Sequence, residues 1–248
     1  MAFITVFTGA GVSAESGVPT FRDNNGLWEN HRVEDVASPR GFQKDPELVW
    51  SFYRQRYENL KAIKPNGAHY EIAKLEEWAE NQGYDFLLIT QNIDGLHQQA
   101  GSKNVIELHG DLRTLRCQTC EYTTNEEEYW GNPEVPICPC CGAKMRVNVV
   151  WFGEGLSETD FAFSEKAAEN SRAMLVVGTS GQVWPAANLV RLAASNMAEV
   201  HECNPQPAYS DLRYKFDELY YAYRGRGSAT VPIATSQIKS RFTKKPKE

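Results

Sequence analysis

Short apolar runs alternate along this chain with segments of helical spacing. The runs cover residues 3–7, 86–89, 105–108, 147–152 and 173–177, and turn residues or charges bound each of them. Short apolar runs bounded in this way are typical of strands that are buried on both faces. Strands that alternate with helices predict a mostly parallel sheet that helices cover on both sides. We therefore expect an α/β fold.

Three segments between these runs have the spacing of helices. Asp45 and Pro46 form an N-cap and first-turn pair, after which Val49, Tyr53 and Leu60 recur at helical intervals. Apolar residues also share one face in residues 66–81 and in residues 185–194. These segments are the expected helices of the sheet's two covering layers.

Composition excludes several classes of protein. The 248 residues are 42% hydrophobic and 23% charged, with a net charge of -6, so the chain is neither disordered nor attracted to nucleic acid by bulk charge. No apolar stretch is long enough to span a bilayer, and the amino terminus lacks the basic region of a signal peptide. We expect a cytoplasmic protein with no membrane partner, and a monomer.

Five of the six cysteines lie between positions 117 and 141. Cys117 and Cys120 form one CxxC pair, and Cys138 and Cys141 form a second after 17 intervening residues. Four thiolates at this spacing predict a tetrahedral zinc site, and a site without an open position is structural. Cys140 leaves the second pair ambiguous, although 138 and 141 have the standard spacing.

The segment around these cysteines is too short for a core of its own, so we expect it to need the metal to fold. We place it, as residues 114–145, in a small lobe together with a helical insertion at residues 34–81. Residues 1–33, 82–113 and 146–248 then form the larger domain. A zinc-ribbon module for nucleic acid is an alternative, but the stretch from Cys117 to Cys141 contains no Lys or Arg.

A glycine-rich turn follows the first predicted strand. Gly9, Gly11 and Ala14 fit the pattern G-x-G-x-x-G/A, in which backbone N–H groups approach a pyrophosphate at a helix start. The alternative is a tight strand-to-helix turn without a ligand. A hydride-transferring dehydrogenase is disfavoured because Glu29 and Glu34, the nearest acidic residues at the required distance, do not follow a second strand.

Polar groups also follow the later strands. Gln91, Asn92 and Asp94 come after the run at 86–89, and His109 comes after the run at 105–108. The carboxyl ends of parallel strands are where open α/β sheets bind ligands. His109 is a candidate general base because histidine titrates near neutral pH. A lone histidine in such a place is more often structural.

Taken together, these motifs resemble the sirtuin family. The matching segments are TGAGVSAESGVPTFR at 8–22, TQNIDGLH at 90–97, ELHGDL at 107–112, both CxxC pairs, VVWFGE at 149–154 and GTSGQVWPAA at 178–187. They occur in the family's order and span nearly the whole chain. Residues 26–39 are most similar to bacterial CobB-type members, in the deacylase class that also accepts acidic acyl groups.

The resemblance implies a Rossmann-like domain with a smaller lobe, made of helices and a zinc ribbon, and NAD-dependent removal of acyl groups from lysine. The acyl oxygen would attack C1′ of the ribose and release nicotinamide. His109 would then accept a ribose hydroxyl proton, and the products would be free lysine and O-acyl-ADP-ribose. Protein mono-ADP-ribosylation, which uses the same NAD cleavage, remains an alternative.

The resemblance also implies roles for individual residues. Those that would hold NAD are Gly9, Ala10, Gly11, Ser13, Phe21, Arg22, Gln91, Asn92, Asp94, Gly178, Thr179, Ser180, Asn204 and Ala229. Val150, Phe152, Gly153 and Glu154 would pair with the acyl-lysine peptide as a strand. Pro205 and Gln206 depart from the family, which has an apolar residue and Glu there.

Tyr53 and Arg56 are three residues apart on one predicted helix, so they share a face. A tyrosine hydroxyl and a guanidinium can together bind the carboxylate at the end of a succinyl, malonyl or glutaryl chain. Members of the family that remove succinyl groups have Y-x-x-R here. The alternative is an exposed arginine beside a half-buried tyrosine, which is common on helices.

Overall fold

The computed structural model describes residues 2–19, 27–28 and 31–243, with only the backbone of 27–28. Phe21 and Arg22, two predicted cofactor-binding residues, lie outside the described residues. The strands are β1 (Phe3–Thr8), β2 (Leu27–Trp28), β3 (His31–Arg32), β4 (Asp85–Thr90), β5 (Val105–Glu107), β6 (Gly110–Cys117), β7 (Thr123–Thr124), β8 (Met145–Val149), β9 (Ser171–Val177), β10 (Glu199–Cys203) and β11 (Tyr220–Tyr223). The helices are α1 (Val33–Val36), α2 (Pro39–Lys44), α3 (Pro46–Ala62), α4 (Gly67–Asn81), α5 (Leu96–Gln99), α6 (Glu128–Gly131), α7 (Glu158–Glu169), α8 (Asn188–Ser195) and α9 (Gly227–Phe242).

Six strands form a parallel sheet in the order β11-β10-β9-β1-β4-β5. β1 lies near the centre, and its last residue, Thr8, is level with Thr90 of β4 and Val177 of β9. The loops after these three strands therefore start at the same edge of the sheet. The predicted α/β fold with a parallel, Rossmann-like sheet is confirmed.

Two strands of this sheet, β10 and β11, were not among the apolar runs. β10 contains His201 and Glu202, which are fully buried. The Glu202 carboxylate accepts hydrogen bonds from the backbone N–H groups of Ala208 and Tyr209 and from the Tyr220 hydroxyl. A buried carboxylate with several donors is tolerated in a core, which explains why so polar a segment is a central strand.

The run at 147–152 is not a strand of the parallel sheet, so that expectation was wrong. β8 ends at Val149 and pairs antiparallel with β6, which also pairs with β7. This second sheet has three strands and carries the cysteine pairs at its end. The apolar character of the run comes from burial in a separate core and not from the parallel sheet.

Each face of the parallel sheet packs against helices. One core includes Phe7, Leu189 and Val190, and the other includes Ile4, Ile72 and Val231. The helix α4 thus packs on the sheet, whereas our division at residue 81 assigned it to the small lobe. A third core joins α3 to β6 and β8, and the division into two lobes otherwise stays a prediction.

The starts of the first two predicted helices agree with the structure, whereas the segment predicted to be helical from residue 185 becomes α-helical only at Asn188. Asp45 caps α3 by accepting the backbone N–H of Leu48 at 2.9 Å, and Pro46 is its first residue. Asn66 caps α4 in a capping box with His69. Among residues 2–19, 27–28 and 31–243, no helix is long and apolar enough to cross a membrane.

Candidate active site

The glycine-rich turn after β1 lies directly against the turn after β9. The backbone N–H of Gly11 donates to the Gly178 carbonyl oxygen at 2.8 Å. A Cβ atom on Gly11 would lie 2.7 Å from that oxygen, and Gly178 has a φ of 62°. Neither position accepts a side chain without a backbone shift. Two short 3-10 turns, Ala10–Val12 and Ala14–Ser16, follow Gly9 instead of the predicted helix start.

Gln91 connects the ends of β4 and β9. Its side-chain Nε2 donates to the Thr179 hydroxyl oxygen at 3.1 Å. Asn204, at the end of β10, donates from Nδ2 to the Thr179 carbonyl oxygen at 2.6 Å. The predicted residues Gln91, Gly178, Thr179 and Asn204 are therefore brought together at the carboxyl edge of the sheet, and Ser180 continues the same turn.

Ser13 is the centre of a buried hydrogen-bond network. The Asn66 backbone N–H donates to His69 Nδ1 at 3.2 Å, so the proton of the neutral His69 ring is on Nε2, 3.4 Å from the Ser13 hydroxyl oxygen. Asn92 Nδ2 also donates to that oxygen, at 3.1 Å. The Ser13 hydroxyl in turn donates to Asp94 Oδ2 at 2.7 Å. The structure thus brings the predicted residues Ser13, Asn92 and Asp94 together.

His109 has a defined proton position. Its Nδ1 lies 3.0 Å from the carbonyl oxygen of Gln91, which can only accept, so Nδ1 carries the proton. The lone pair of the neutral ring is therefore on Nε2. Burial lowers the pKa of His109 below 6.5, and the hydrogen bond to Gln91 opposes this shift. The ring is neutral at pH 7 and can accept a proton at Nε2.

Two histidines that were not among the predicted site residues, His69 and His97, belong to the same region. His97 Nε2 lies 3.0 Å from the Thr8 hydroxyl oxygen, and the His97 and His69 rings are 4.8 Å apart. Burial lowers the pKa of His69 to about 4 and that of His97 to about 3. The position of His69 three residues after the helix cap Asn66 indicates a capping role, but not the contact with Ser13.

The first residues of α9 contact the second turn after β1, Ala14–Ser16. The carboxylate of Glu15 accepts the backbone N–H of Ser228 at 2.8 Å and its hydroxyl at 2.7 Å. Ala229, a predicted cofactor-binding residue, is the next residue and is exposed. This contact places the exposed start of α9 beside the turn at Ala14–Ser16.

Tyr53 and Arg56 are both buried on α3, with 1% and 9% of their surfaces exposed. The expected alternative of an exposed arginine therefore does not apply. The Tyr53 hydroxyl oxygen accepts the indole N–H of Trp151 at 3.0 Å. Burial raises the pKa of Tyr53 well above 10, and the positive charge of Arg56 opposes this rise. The two side chains are close enough to interact electrostatically.

The predicted peptide-pairing segment after β8 is not a strand in this structure. The backbone N–H of Val150 donates to the carbonyl oxygen of His109 at 2.8 Å, and that of Phe152 donates to the carbonyl oxygen of Ala37 at 3.0 Å. The Glu154 carboxylate accepts from Arg146 at 2.7 Å, so its side chain is already engaged. Phe152 is 57% exposed and Gly153 has a φ of 92°. Phe152 and Gly153 are thus the exposed part of this segment.

The four predicted zinc cysteines converge. The sulfur atoms of Cys117, Cys120, Cys138 and Cys141 all lie within 4.8 Å of one another, and Cys140 is not part of the group. Backbone N–H groups of Thr119 and Cys120 donate to Cys117 and lower its pKa to about 6, which favours the thiolate. The four cysteines are positioned to bind one zinc ion, as predicted.

Comparison with known proteins agrees with this geometry. The model of the Sir2 family matches residues 9–185. An "NAD-dependent protein deacylase" of Thermococcus sibiricus is 47% identical over 82% of this chain and 80% of its own. A protein of the same name from Vibrio parahaemolyticus is 43% identical over 97% of both chains. This chain belongs to the Sir2 family.

A solved structure supports the same assignment. The complex of a Sir2 homologue with NAD superimposes on this chain with a TM-score of 0.83 and 37% identity, covering 97% of this chain and 90% of the other. The resemblance to sirtuins found in the sequence is therefore confirmed. The cysteine group is consistent with the predicted zinc ribbon.

Proposed function

We propose that this chain is an NAD-dependent protein-lysine deacylase that acts on acetyl-lysine and on succinyl- and malonyl-lysine. With one water molecule consumed, the products would be nicotinamide, free lysine and O-acyl-ADP-ribose. The observation that carries the proposal is the His109 ring, which is neutral, has its lone pair on Nε2, and lies beside the turns at the sheet's carboxyl edge. The names of the relatives support NAD and an acylated protein as substrates.

The residues at this edge fit a dinucleotide. Gly9, Ala10 and Gly11 form a turn without bulky side chains, and the turn that begins at Gly178 lies against it, with Asn204 hydrogen-bonded to Thr179. Ser180 and Ala229 would be further contacts to the dinucleotide. Ser13, Gln91, Asn92 and Asp94 supply hydroxyl, amide and carboxylate groups for a ribose and a nicotinamide amide. When bound, NAD supplies the ribose carbon that accepts the acyl oxygen as nicotinamide leaves. Phe21 and Arg22 stay predicted contacts.

His109 would act after nicotinamide has left. Its Nε2 accepts the proton of a ribose hydroxyl, so that the hydroxyl oxygen becomes a nucleophile. The Gln91 carbonyl oxygen keeps the other nitrogen protonated and stabilises the imidazolium that forms. General-base action of this kind contributes about 10²–10⁴-fold to a rate.

The choice of acyl group would depend on Tyr53 and Arg56. Both are buried and within electrostatic range of each other, which suits a carboxylate removed from water. The peptide would lie along Phe152 and Gly153, the exposed residues of the segment after β8. Val150 and Glu154 would shape this segment through the contacts that they already make.

A side-by-side assay tests the proposal. Peptides with acetyl-, succinyl- or malonyl-lysine are incubated with NAD, and nicotinamide, free lysine and acyl-ADP-ribose are measured by mass spectrometry. We expect all three products in equal amounts, and their formation to be about 10²–10⁴-fold slower in His109→Ala. Detection of ADP-ribose attached to the peptide would favour mono-ADP-ribosylation, and NADH absorbance would favour a dehydrogenase.

A further inference from the structure

A buried hydrogen bond joins the indole of Trp151 to the hydroxyl of Tyr53. Trp151 Nε1 lies 3.0 Å from the Tyr53 oxygen, and only 2% of Trp151 is exposed. An indole N–H can donate but cannot accept, so the tyrosine oxygen is the acceptor. The hydroxyl hydrogen therefore points away from Trp151, in a direction in which the hydroxyl can donate to another group.

Trp151 is itself held at two places by one ion pair. The Arg146 guanidinium carbon lies 3.6 Å from the centroid of the indole ring. Arg146 also donates to both oxygens of the Glu154 carboxylate at 2.7 Å, and that carboxylate accepts the backbone N–H of Trp151 at 2.8 Å. Because Arg146 is only 2% exposed, solvent screens this pair little. Both the ring and the backbone of Trp151 are fixed.

Phe52 contacts both Tyr53 and Arg56, the two residues that would bind the carboxylate of the acyl chain. Arg56 lies three residues later on α3, with its guanidinium carbon 5.3 Å from the Phe52 ring. Phe52 in turn packs edge-on against Tyr53, with 5.1 Å between the ring centroids. The tyrosine ring is therefore packed by Phe52, while Trp151 fixes the direction of its hydroxyl.

We propose that Trp151 is a positioning residue for acidic acyl chains, which fixes the Tyr53 hydroxyl as a donor to the chain's terminal carboxylate. This inference rests on the proposed function, because it assumes that acyl-lysine enters beside Tyr53 and Arg56. An acetyl group has no carboxylate, so its removal does not use that donor. The contribution of Trp151 is therefore specific to succinyl and malonyl substrates.

The test substitutes Trp151→Phe, which keeps an aromatic ring and removes the N–H. We expect kcat/KM for desuccinylation to fall about tenfold, the loss typical of a weakened hydrogen bond to a charged group. The loss should appear mainly in KM, since the contact is to a part of the substrate that does not react. Deacetylation should change little.

Trp130→Phe is the matched control. Trp130 is 1% exposed, lies in the same core, and stacks on Tyr57 with ring centroids 4.1 Å apart. Its indole nitrogen has no hydrogen-bond partner among the described residues. The substitution therefore removes a similar volume without removing a bond to Tyr53. We expect it to leave the ratio of desuccinylation to deacetylation unchanged.

Adding Trp151→Phe to Tyr53→Phe separates positioning from general damage, with thermal melts confirming that each variant folds. If Trp151 acts through Tyr53, adding Trp151→Phe to Tyr53→Phe should lower the rate of desuccinylation little further. Equal losses on both substrates, or an undiminished loss in the Tyr53→Phe background, would overturn the inference. A wild-type enzyme that removes acetyl but not succinyl groups also contradicts it, while deacylation stands. No deacylation at all refutes the proposed function itself.

Discussion

At the scale of single residues, the proton on His109 Nδ1 leads to a prediction about pH. Burial lowers the pKa of His109 below 6.5, and only the neutral ring can accept a proton. We expect kcat/KM for deacylation to be constant between pH 7 and 8 and to fall only below about pH 6.5. Rates measured across this range check the prediction.

The control for this pH profile is His109→Ala. Its residual activity, about 10²–10⁴-fold lower, should lack the decline below pH 6.5 that protonation of the ring causes. A wild-type profile with its midpoint at or above pH 7 would contradict a buried, neutral base. A decline of the same shape in His109→Ala would assign the titration to another group.

Tyr53 and Arg56 lead to a second prediction at this scale. The double variant Tyr53→Phe with Arg56→Met should lose at least about tenfold in desuccinylation, because both contacts to a carboxylate are removed. Deacetylation should change little. Arg54→Met, a substitution at a half-buried arginine of the same helix, is the matched control and should leave the ratio of activities unchanged. Equal losses with both substrates would refute the carboxylate-binding role.

At the scale of structural elements, we expect the stability of the three-stranded sheet to depend on the cysteine group. Cys117 ends β6, and Cys138 and Cys141 precede β8, so a zinc ion would join the two pairing strands. Removing the metal with a chelator, or substituting Cys120→Ser, should unfold this sheet and lower the melting temperature. Zinc content by mass spectrometry and thermal melts by circular dichroism provide the measurement.

Cys140→Ser is the control for this experiment. Cys140 lies beside the group but is exposed and is not one of the four converging sulfurs. We expect one zinc per chain and an unchanged melting temperature in this variant. A Cys120→Ser variant that keeps both its zinc and its stability would show that the site does not hold the lobe together.

The elements also show how far sequence reasoning reaches. Runs such as residues 86–89 and 173–177 identify central strands because every side chain in them is apolar. The same reasoning does not identify β10, because it contains the charged residue Glu202. The hydrogen-bond donors that allow this carboxylate to be buried come from Ala208, Tyr209 and Tyr220, which lie next to it only in the folded chain. The reasoning assigns β8 to the wrong sheet, because its apolar residues pack in the core between α3 and β6 and not against the parallel sheet.

The candidate site also divides into residues that a local pattern indicates and residues that only folding brings together. Its motifs gave Ser13, Asp94 and His109, each of which comes directly after or near a strand end. His69 was not found, because its place beside Ser13 depends on how α4 packs on the sheet. Contacts between distant segments are decided by packing, which no local pattern in the sequence records.

At the scale of the whole molecule, buried histidines make stability depend on pH. In the folded chain the pKa of His69 is lowered to about 4 and that of His97 to about 3, against about 6.5 when unfolded. As pH falls below 6.5, the unfolded chain takes up protons that the folded chain does not. Each ring should therefore lower the free energy of unfolding by up to about 1.4 kcal/mol per pH unit until its folded pKa is reached.

Glu107 opposes this trend, because burial raises its pKa to about 7, and the folded chain then binds a proton that the unfolded chain lacks. Urea unfolding of wild type and of His97→Gln between pH 4.5 and 7.5 isolates one ring. The slope of the free energy of unfolding against pH should be smaller in the variant by up to about 1.4 kcal/mol per pH unit, the value for one proton. Parallel slopes would show that His97 takes up its proton equally in both states.

Gln91 uses its main chain for one contact and its side chain for another. The carbonyl oxygen accepts a hydrogen bond from the His109 imidazole, whereas the side-chain amide donates one to the hydroxyl oxygen of Thr179. Replacement of the side chain therefore leaves the tautomer of His109 intact, because every amino acid brings the same carbonyl. Gln91→Ala would therefore remove the bridge between the two loops and the proposed contact of the amide with NAD, while the acceptor for the base stays in place.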